Sequence, residues 1–446
     1  MAYVAVDFQK ILGPIKPMHA VGQPPFLGID FAQIAYLKEA NIPFSRLHDV
    51  GGAYGQFRYV DVPNLFRDFE ADETDPASYD FAFTDLLITS LVQNGCAPIF
   101  RLGVTIENFA EVRAYRIHPP LDFAKWARVC EHIVRHYNEG WANGFRYGIT
   151  YWEIWNEPDI LPDKTKNTMW SGTKEEYYAL YDVAATHLKK CFGDTVKICG
   201  YASSGFYGIL ADPEKYHIPP VEKKSRFRPD REEYMLDFFF GFMEYIRARK
   251  TPLDVFTYHS YATTEETVAI SAWLKRTLTE YGYGEAELQL NEWNNAAAND
   301  RRGTKYAASR AAAMLCAMQN TETDMLCYYD ARIGTSAYGG MFHPLTYKPF
   351  CLYYVFRAFG HLYALGDQTA CRWEEEGIYA LSATNGEERA VMIVNDTEED
   401  REICTNLDPA FRLSLVDEEH FLTEVDASPA RFVLRAHQVA LWKSGV

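Results

Sequence analysis

The 446-residue chain has no run of roughly 18 apolar residues, so nothing in it reads as a membrane span. It is short of positive charge: 44 Lys and Arg stand against 61 Asp and Glu, a net charge of −17. That balance argues against nucleic-acid binding, which needs a basic face to displace phosphate counterions, and disfavours an anionic membrane surface. The nine cysteines are odd in number and scattered, without a C-x-x-C pair or zinc-like spacing. They read as buried, reduced thiols rather than a disulfide framework. Residues Met1 to Lys10 lack a basic segment followed by an apolar run, so the expectation is a cytoplasmic protein. Internal repeats and low-complexity linkers are absent as well.

What is present is an ordinary hydrophobic share, 48%, with a high aromatic share, 15%, much of it Tyr and Trp. Such rings suit core packing and also the faces of sugars. From about residue 17 to 365, short β-rich runs alternate with amphipathic helical ones. The strand candidates are Met18–Gly22, Phe44–Asp49, Ala97–Gly103, Tyr151–Asn156, Val196–Tyr201, Asp254–Tyr261, Leu288–Trp293 and Met325–Asp330. Between them lie helical stretches such as Tyr79–Asn94, Phe123–Tyr137, Lys174–Lys190 and Thr304–Gln319. A single series of eight such units predicts an α/β fold, a (β/α)8 TIM barrel over residues 15–365, in preference to an open doubly wound sheet. Beyond Gly366 the period changes to two, with turns at Asn385-Gly386 and Asp408-Pro409. Residues 366–446, with or without 1–14, therefore read as a smaller C-terminal β-sandwich packed on the barrel.

Barrels of this kind place chemistry at the C-terminal ends of their strands. The polar residues gather there: Arg46, His48 and Asp49; Arg101; Asn156 and Glu157; His259 and Tyr261; Glu292; Asp330 and Arg332. Two strand ends share an Asn-Glu pair beside Trp: Trp155-Asn156-Glu157-Pro158 and Asn291-Glu292-Trp293. Two carboxylates facing one pocket suit double-displacement cleavage of a glycosidic bond. Glu157, flanked by Trp152, Trp155 and Pro158, sits in the drier setting and reads as the acid/base. Glu292 reads as the nucleophile, kept ionised by hydrogen bonds or positive charge from Tyr261, His259 or Arg46. Asn156 is placed to meet a sugar 2-hydroxyl, and His259 and Tyr261 to line the pocket. Arg46 pairs either with Glu292 or elsewhere; Trp293 is either wall or sugar platform. Asp330 and Arg332 are further candidates for substrate contact. No metal or other cofactor is expected. A metal-dependent hydrolase built on His48, Asp49 and His259 is disfavoured, because strand one lacks a His-x-His pair. A non-catalytic sugar-binding protein is the other alternative.

These motifs resemble glycoside hydrolase family 39, the family of β-xylosidases and α-L-iduronidase. Trp152-Glu153-Ile154-Trp155-Asn156-Glu157-Pro158 resembles its acid/base motif, Asn291-Glu292-Trp293-Asn294 its nucleophile motif, and Asp254 to Tyr261 its sixth strand. The segments Tyr79–Gly95, Pro119–Trp126, Gly339-Gly340 and Lys348-Pro349 are similar as well. The resemblance implies a retaining, exo-acting, β-xylosidase-like enzyme on an oligosaccharide or glycoside, with its carboxylates on strands four and seven. It also implies that His48 touches the terminal sugar. The chain departs from the pattern at the pocket rim. Arg101 stands where the family usually has Glu, Tyr328 to Arg332 replace a Trp-rich segment, and Asp49 with the pair Gly51-Gly52 follows His48. Arg101 and Arg332 could receive a carboxylate in a fork, so a uronic-acid- or arabinose-containing glycan is the alternative substrate. A homo-oligomer is compatible with the sequence.

Overall fold

The computed structural model describes residues 2–25, 32–50, 59–106, 117–224, 227–296, 300–332 and 338–444; Gly51-Gly52 lies outside them. Eight parallel strands close into a barrel: β2 (Ala20–Gly22), β3 (Phe44–Leu47), β4 (Ala97–Leu102), β5 (Tyr151–Ile154), β6 (Lys197–Ser203), β7 (Val255–Ser260), β8 (Glu287–Trp293) and β9 (Met325–Tyr328). They pair in chain order, β9 closing back on β2. Glu157 thus follows the fourth barrel strand and Glu292 lies on the seventh.

Alternation along the strands sorts residues between two cores. Val21, Phe100, Trp152 and Leu326 face outward into the large core shared with the helices. Ala20, Ile99, Met325 and Cys327, with Phe44 and Tyr151 against them, form a separate small cluster inside the barrel. Two residues further up the same strands the lining changes from apolar to charged: Arg46 after Phe44, Arg101 after Ile99 and Glu153 after Tyr151, each fully buried. The barrel interior therefore has an apolar floor, a charged middle layer and an open end where the strands stop.

The remaining strands form one nine-stranded sheet: β1 (Ala2–Pro14), β10 (Asp367–Arg372), β11 (Ile378–Thr384), β12 (Arg389–Asn395), β13 (Arg401–Thr405), β14 (Arg412–Val416), β15 (Phe421–Val425), β16 (Arg431–Leu434) and β17 (Val439–Ser444). The expected smaller β-domain is present, as a curled sheet folded over a core of its own and joined by the N-terminal strand. Its continuity rests on the long β1, which pairs in parallel with β13 through Ala2–Val4 and antiparallel with β10 from Ala5 onward. Both faces of the sheet are buried. Val4, Ile393, Phe432 and Trp442 fill the fold of the sheet, while Leu381, Met392, Val394 and Leu441 join the main core. There they lie against the helices Lys305–Gln319 and Cys351–Leu365. A small sheet gains much of its stability this way, by covering its second apolar face.

All nine cysteines are free thiols; Cys191, Cys371 and Cys404 are half-buried and the rest buried. Among the described residues, no helix is long and apolar enough to cross a membrane.

Candidate active site

Two local departures from regular strand geometry bring the carboxylates into one pocket. On β8 the register slips: Tyr258 pairs with Leu290 but His259 with Glu292, and on the other side Leu290 pairs with Leu326 but Trp293 with Tyr328. The extra residue is a bulge, which lets Asn291 and Glu292 both address the barrel interior instead of opposite faces. At the end of β5, Trp155 and Glu157 adopt left-handed backbone, with φ of 71° and 43°. Trp155 N–H still bonds Leu102 O at 2.8 Å, and Glu157 N–H bonds Ala202 O at 2.9 Å, so the turn is held from both neighbouring strands. Gly103 permits it: a Cβ there would lie 3.0 Å from Trp155 Cα. Non-glycine residues in this region of φ store strain of about 1–3 kcal/mol, typically at functional sites.

Arg46 connects the charged layer to the pocket. Its guanidinium lies 2.6 Å from Glu153 Oε2 and 3.1 Å from Glu292 Oε2, and donates to Asn156 Oδ1 at 2.5 Å. Glu153 is held in turn by Asn291 Nδ2, and Glu292 accepts a hydrogen bond from the Tyr261 hydroxyl. The two alternatives for Arg46 are thus both realised. His259 Nδ1 meets Glu157 Oε1 at 2.7 Å and lies 3.8 Å from Glu292 Oε2. Donor atoms of Glu157, His259 and Glu292 all fall within 4.8 Å of one another. In spacing alone the three could surround a divalent ion, but Glu157 and His259 are already hydrogen-bonded to each other and Glu292 to Arg46 and Tyr261.

Burial pushes the Glu157 carboxyl up to about 7, against the opposing charges of Arg231 and Arg46. Burial also raises Glu292, to about 6, with His259, Arg46 and the Tyr261 hydrogen bond opposing and Glu157 adding. Of the two, Glu157 holds its proton more tightly. Burial lowers His259 to about 4, so its imidazole is neutral at pH 7. Of the three supports expected for Glu292, Arg46 and Tyr261 bond it directly, while His259 bonds Glu157 and stands 3.8 Å from Glu292.

The other expected site residues are distributed unevenly. Asn156 is buried, and its Nδ2 has no partner among the described residues. His48 Nε2 lies 3.2 Å from Asp49 Oδ1, and Asp49 Oδ2 accepts from Tyr329 at 2.9 Å. Trp293 has no exposed surface and meets Tyr328 edge-on at 5.2 Å, which makes it wall and not platform. Arg101, also fully buried, is corrected from a substrate fork to a structural cation: Nη2 bonds Asp61 Oδ1 at 2.6 Å, and Asp61 is further held by Thr105. Asp330 is fully buried, 3.5 Å from Arg332 Nη2, so neither offers a free charge to a ligand. Sequence reasoning missed Glu153 and the tyrosines Tyr329 and Tyr338. Tyr338 packs on Tyr261 at 5.3 Å and Tyr329 at 5.1 Å and is 36% exposed, an aromatic edge beside Glu292. Glu153 does carry a signal, since an acidic residue pointing into a barrel needs a buried cation and Arg46 is the inward arginine on β3.

A closed parallel barrel with two strand-end carboxylates sharing a dry pocket is the architecture of a glycoside hydrolase. The sequence makes the assignment narrower: the profile of glycosyl hydrolases family 39 matches residues 52–292, and the chain belongs to that family. A β-xylosidase from Caldicellulosiruptor saccharolyticus is 32% identical over 124 residues, 25% of this chain and 23% of that protein. A β-xylosidase from Geobacillus stearothermophilus is 24% identical over 254 residues, 53% of this chain and 41% of its own length. The chain therefore spans less than half the length of the curated relatives it matches. Among solved structures, a glucosidase from Croceicoccus marinus shares the fold with a TM-score of 0.75 at 20% identity, covering 99% of this chain and 98% of that one. A family 39 β-xylosidase from Caulobacter crescentus does so at 0.68 and 15% identity, covering 100% of both.

Removing Asp61 leaves Arg101 buried without a counter-charge. Asp61→Ala should cost about 3–5 kcal/mol in denaturant unfolding. The apolar pair Asp61→Leu with Arg101→Met should recover most of that loss; a single variant as stable as the parent would show the pair to be dispensable.

Proposed function

We propose that the protein is a retaining β-xylosidase-like glycosidase, exo-acting, in which Glu157 is the acid/base and Glu292 the nucleophile. The observation that carries this reading is that one carboxylate oxygen of Glu157 and one of Glu292 lie within 4.8 Å of each other, a nearest-atom spacing that favours the closer of the two known arrangements. Retaining enzymes need about 5–5.5 Å between them, whereas inverting enzymes leave about 6.5–9.5 Å for a water. The difference between the two carboxyls fits the roles. Glu157, raised to about 7, keeps a proton for the leaving group; Glu292, at about 6, gives it up first.

In the first step Glu292 Oε attacks the anomeric carbon while Glu157 protonates the departing oxygen, leaving a glycosyl ester on Glu292. Glu157, now ionised, draws the proton from a water that attacks the same carbon and frees Glu292. Arg46 and Tyr261 receive the charge that returns to Glu292 in the second step. The free Nδ2 of Asn156 is the donor for a sugar 2-hydroxyl, a contact that strengthens in the transition state. Support for a neutral sugar comes from the cations expected at the rim: Arg101 and Arg332 are both beside carboxylates. The curated relatives are named β-xylosidases, which supports a β-xyloside as substrate.

Glu292→Gly should abolish turnover of an aryl β-xyloside, and added azide should restore it as a glycosyl azide of inverted configuration by NMR. An azide product of retained configuration would reverse the two roles. Glu157→Ala should slow substrates with poor leaving groups by about 10²–10⁴-fold and activated aryl glycosides far less. Equal losses on both would remove Glu157 from acid catalysis. The pH profile of kcat/KM should be a narrow bell. Its acid limb falls as pH drops through about 6 and Glu292 takes up a proton, and its alkaline limb falls as pH rises through about 7 and Glu157 loses one. A flat profile between about pH 4 and 8 contradicts two working carboxyls.

A further inference from the structure

The helices Phe123–Asn138 and Lys174–Phe192 precede and follow β5 in the chain and pack against each other on the outside of the barrel. At their seam, away from the pocket, Glu131, His187 and Cys191 each turn a donor atom to a common point. One carboxylate oxygen, one ring nitrogen and one sulfur lie within 4.8 Å of one another, and all three residues are half-buried. His187 and Cys191 are one helical turn apart on the same face, the spacing at which two side chains of a helix can hold one ion. His187 Nε2 is 2.6 Å from Glu131 Oε2 and 3.7 Å from Cys191 Sγ. Arg135 Nε donates to the other Glu131 oxygen, Oε1, at 2.8 Å, which fixes the carboxylate with Oε2 turned toward the histidine.

In the metal-free state the 2.6 Å nitrogen–oxygen contact is a hydrogen bond, while the 3.7 Å nitrogen–sulfur distance already suits two ligands of one transition metal. With zinc–sulfur bonds of about 2.3 Å and zinc–nitrogen bonds of about 2.0–2.1 Å, sulfur and nitrogen stand about 3.6 Å apart. The nitrogen–oxygen pair needs to open to about 3.3 Å, as the metal takes the place of the proton it now shares. Both groups sit on partly exposed, rotatable side chains that can make that move. A thiolate, an imidazole and a single carboxylate suit zinc and exclude calcium or magnesium, which take oxygen ligands.

We propose that Glu131 Oε2, His187 Nε2 and Cys191 Sγ bind one Zn2+ ion, a water or an outside ligand completing the tetrahedron, as a staple between the two helices that flank β5. On binding, the cysteine thiol releases its proton to solvent and the histidine binds through its neutral ring. The site is independent of the glycosidase reading. Among the described residues, the other cluster with such spacing is Glu157, His259 and Glu292, and it contains no sulfur. A thiolate signature therefore distinguishes the two.

The test uses the whole chain, reduced and freed of metal by a chelator, titrated with Co2+ as the spectroscopic probe. The expected result is a near-ultraviolet thiolate-to-cobalt band with strong visible bands of tetrahedral cobalt, saturating at one equivalent and bleached by Zn2+. Cys191→Ser should remove the near-ultraviolet band, and His187→Ala should weaken binding at least tenfold. Circular dichroism should show both variants folded. Zn2+ should raise the melting temperature of the parent and leave that of Cys191→Ser unmoved. A titration without the thiolate band, weak octahedral bands alone, or a band that survives Cys191→Ser overturns the proposal.

Discussion

A guanidinium sealed inside a barrel must be satisfied on every side, because removing an unpaired charge from water costs several kcal/mol. Arg46 meets that demand with three acceptors from two strand ends: Glu153 on β5, Asn156 just beyond it, and Glu292 on β8. Each acceptor is thereby fixed in place by the same charge. The contacts are not equal. Glu153 is at 2.6 Å and Asn156 at 2.5 Å, while Glu292 is at 3.1 Å. Glu292 therefore receives only part of the compensation, and burial leaves its carboxyl near 6, above the ordinary carboxylate range. A more strongly held carboxylate would be less basic and a poorer nucleophile. A less strongly held one would be protonated at neutral pH. The layered interior, apolar below and charged at the level of Arg46, is what makes this intermediate setting stable.

Geometry at the two strand ends completes the arrangement. A regular β8 would point Asn291 and Glu292 to opposite faces; the bulge turns both inward, one to Glu153 and one to Arg46 and Tyr261. At β5 the left-handed Trp155 and Glu157 swing the second carboxylate over the first. Strain at the β5 end is tolerated because flanking hydrogen bonds to β4 and β6 hold the backbone. His259, neutral through burial, fills the space between the carboxylates without adding a charge that would pull the proton from Glu157.

Much of this was legible before any coordinates. The alternation of strands and helices identified the barrel, and the repeated Asn-Glu-Trp context identified Glu157 and Glu292, because both signals are local. What stayed hidden depends on partners distant in sequence. The fork of Arg101 looked free until Asp61, forty positions earlier, closed on it. The neutrality of His259 follows from burial, which no tripeptide context reports. The register of the small sheet depends on a strand at the opposite end of the chain: β1 joins β10 and β13, a pairing that the period-two pattern of residues 366–446 does not itself specify.

Charge at the rim bears on which sugar such a pocket can accept. Asp49 and Asp330 add acidic groups around Glu157 and Glu292, and the cations at the rim, Arg101 and Arg332, lie beside carboxylates. A uronate entering this field would meet those carboxylates at short range, while Arg46 is already shared among Glu153, Asn156 and Glu292. The rings of Tyr261, Tyr329 and Tyr338 instead form an uncharged edge next to Glu292. An aromatic edge favours the C–H faces of a neutral pyranose. The departures that set this rim apart from the family pattern are thus compatible with the neutral sugar proposed above.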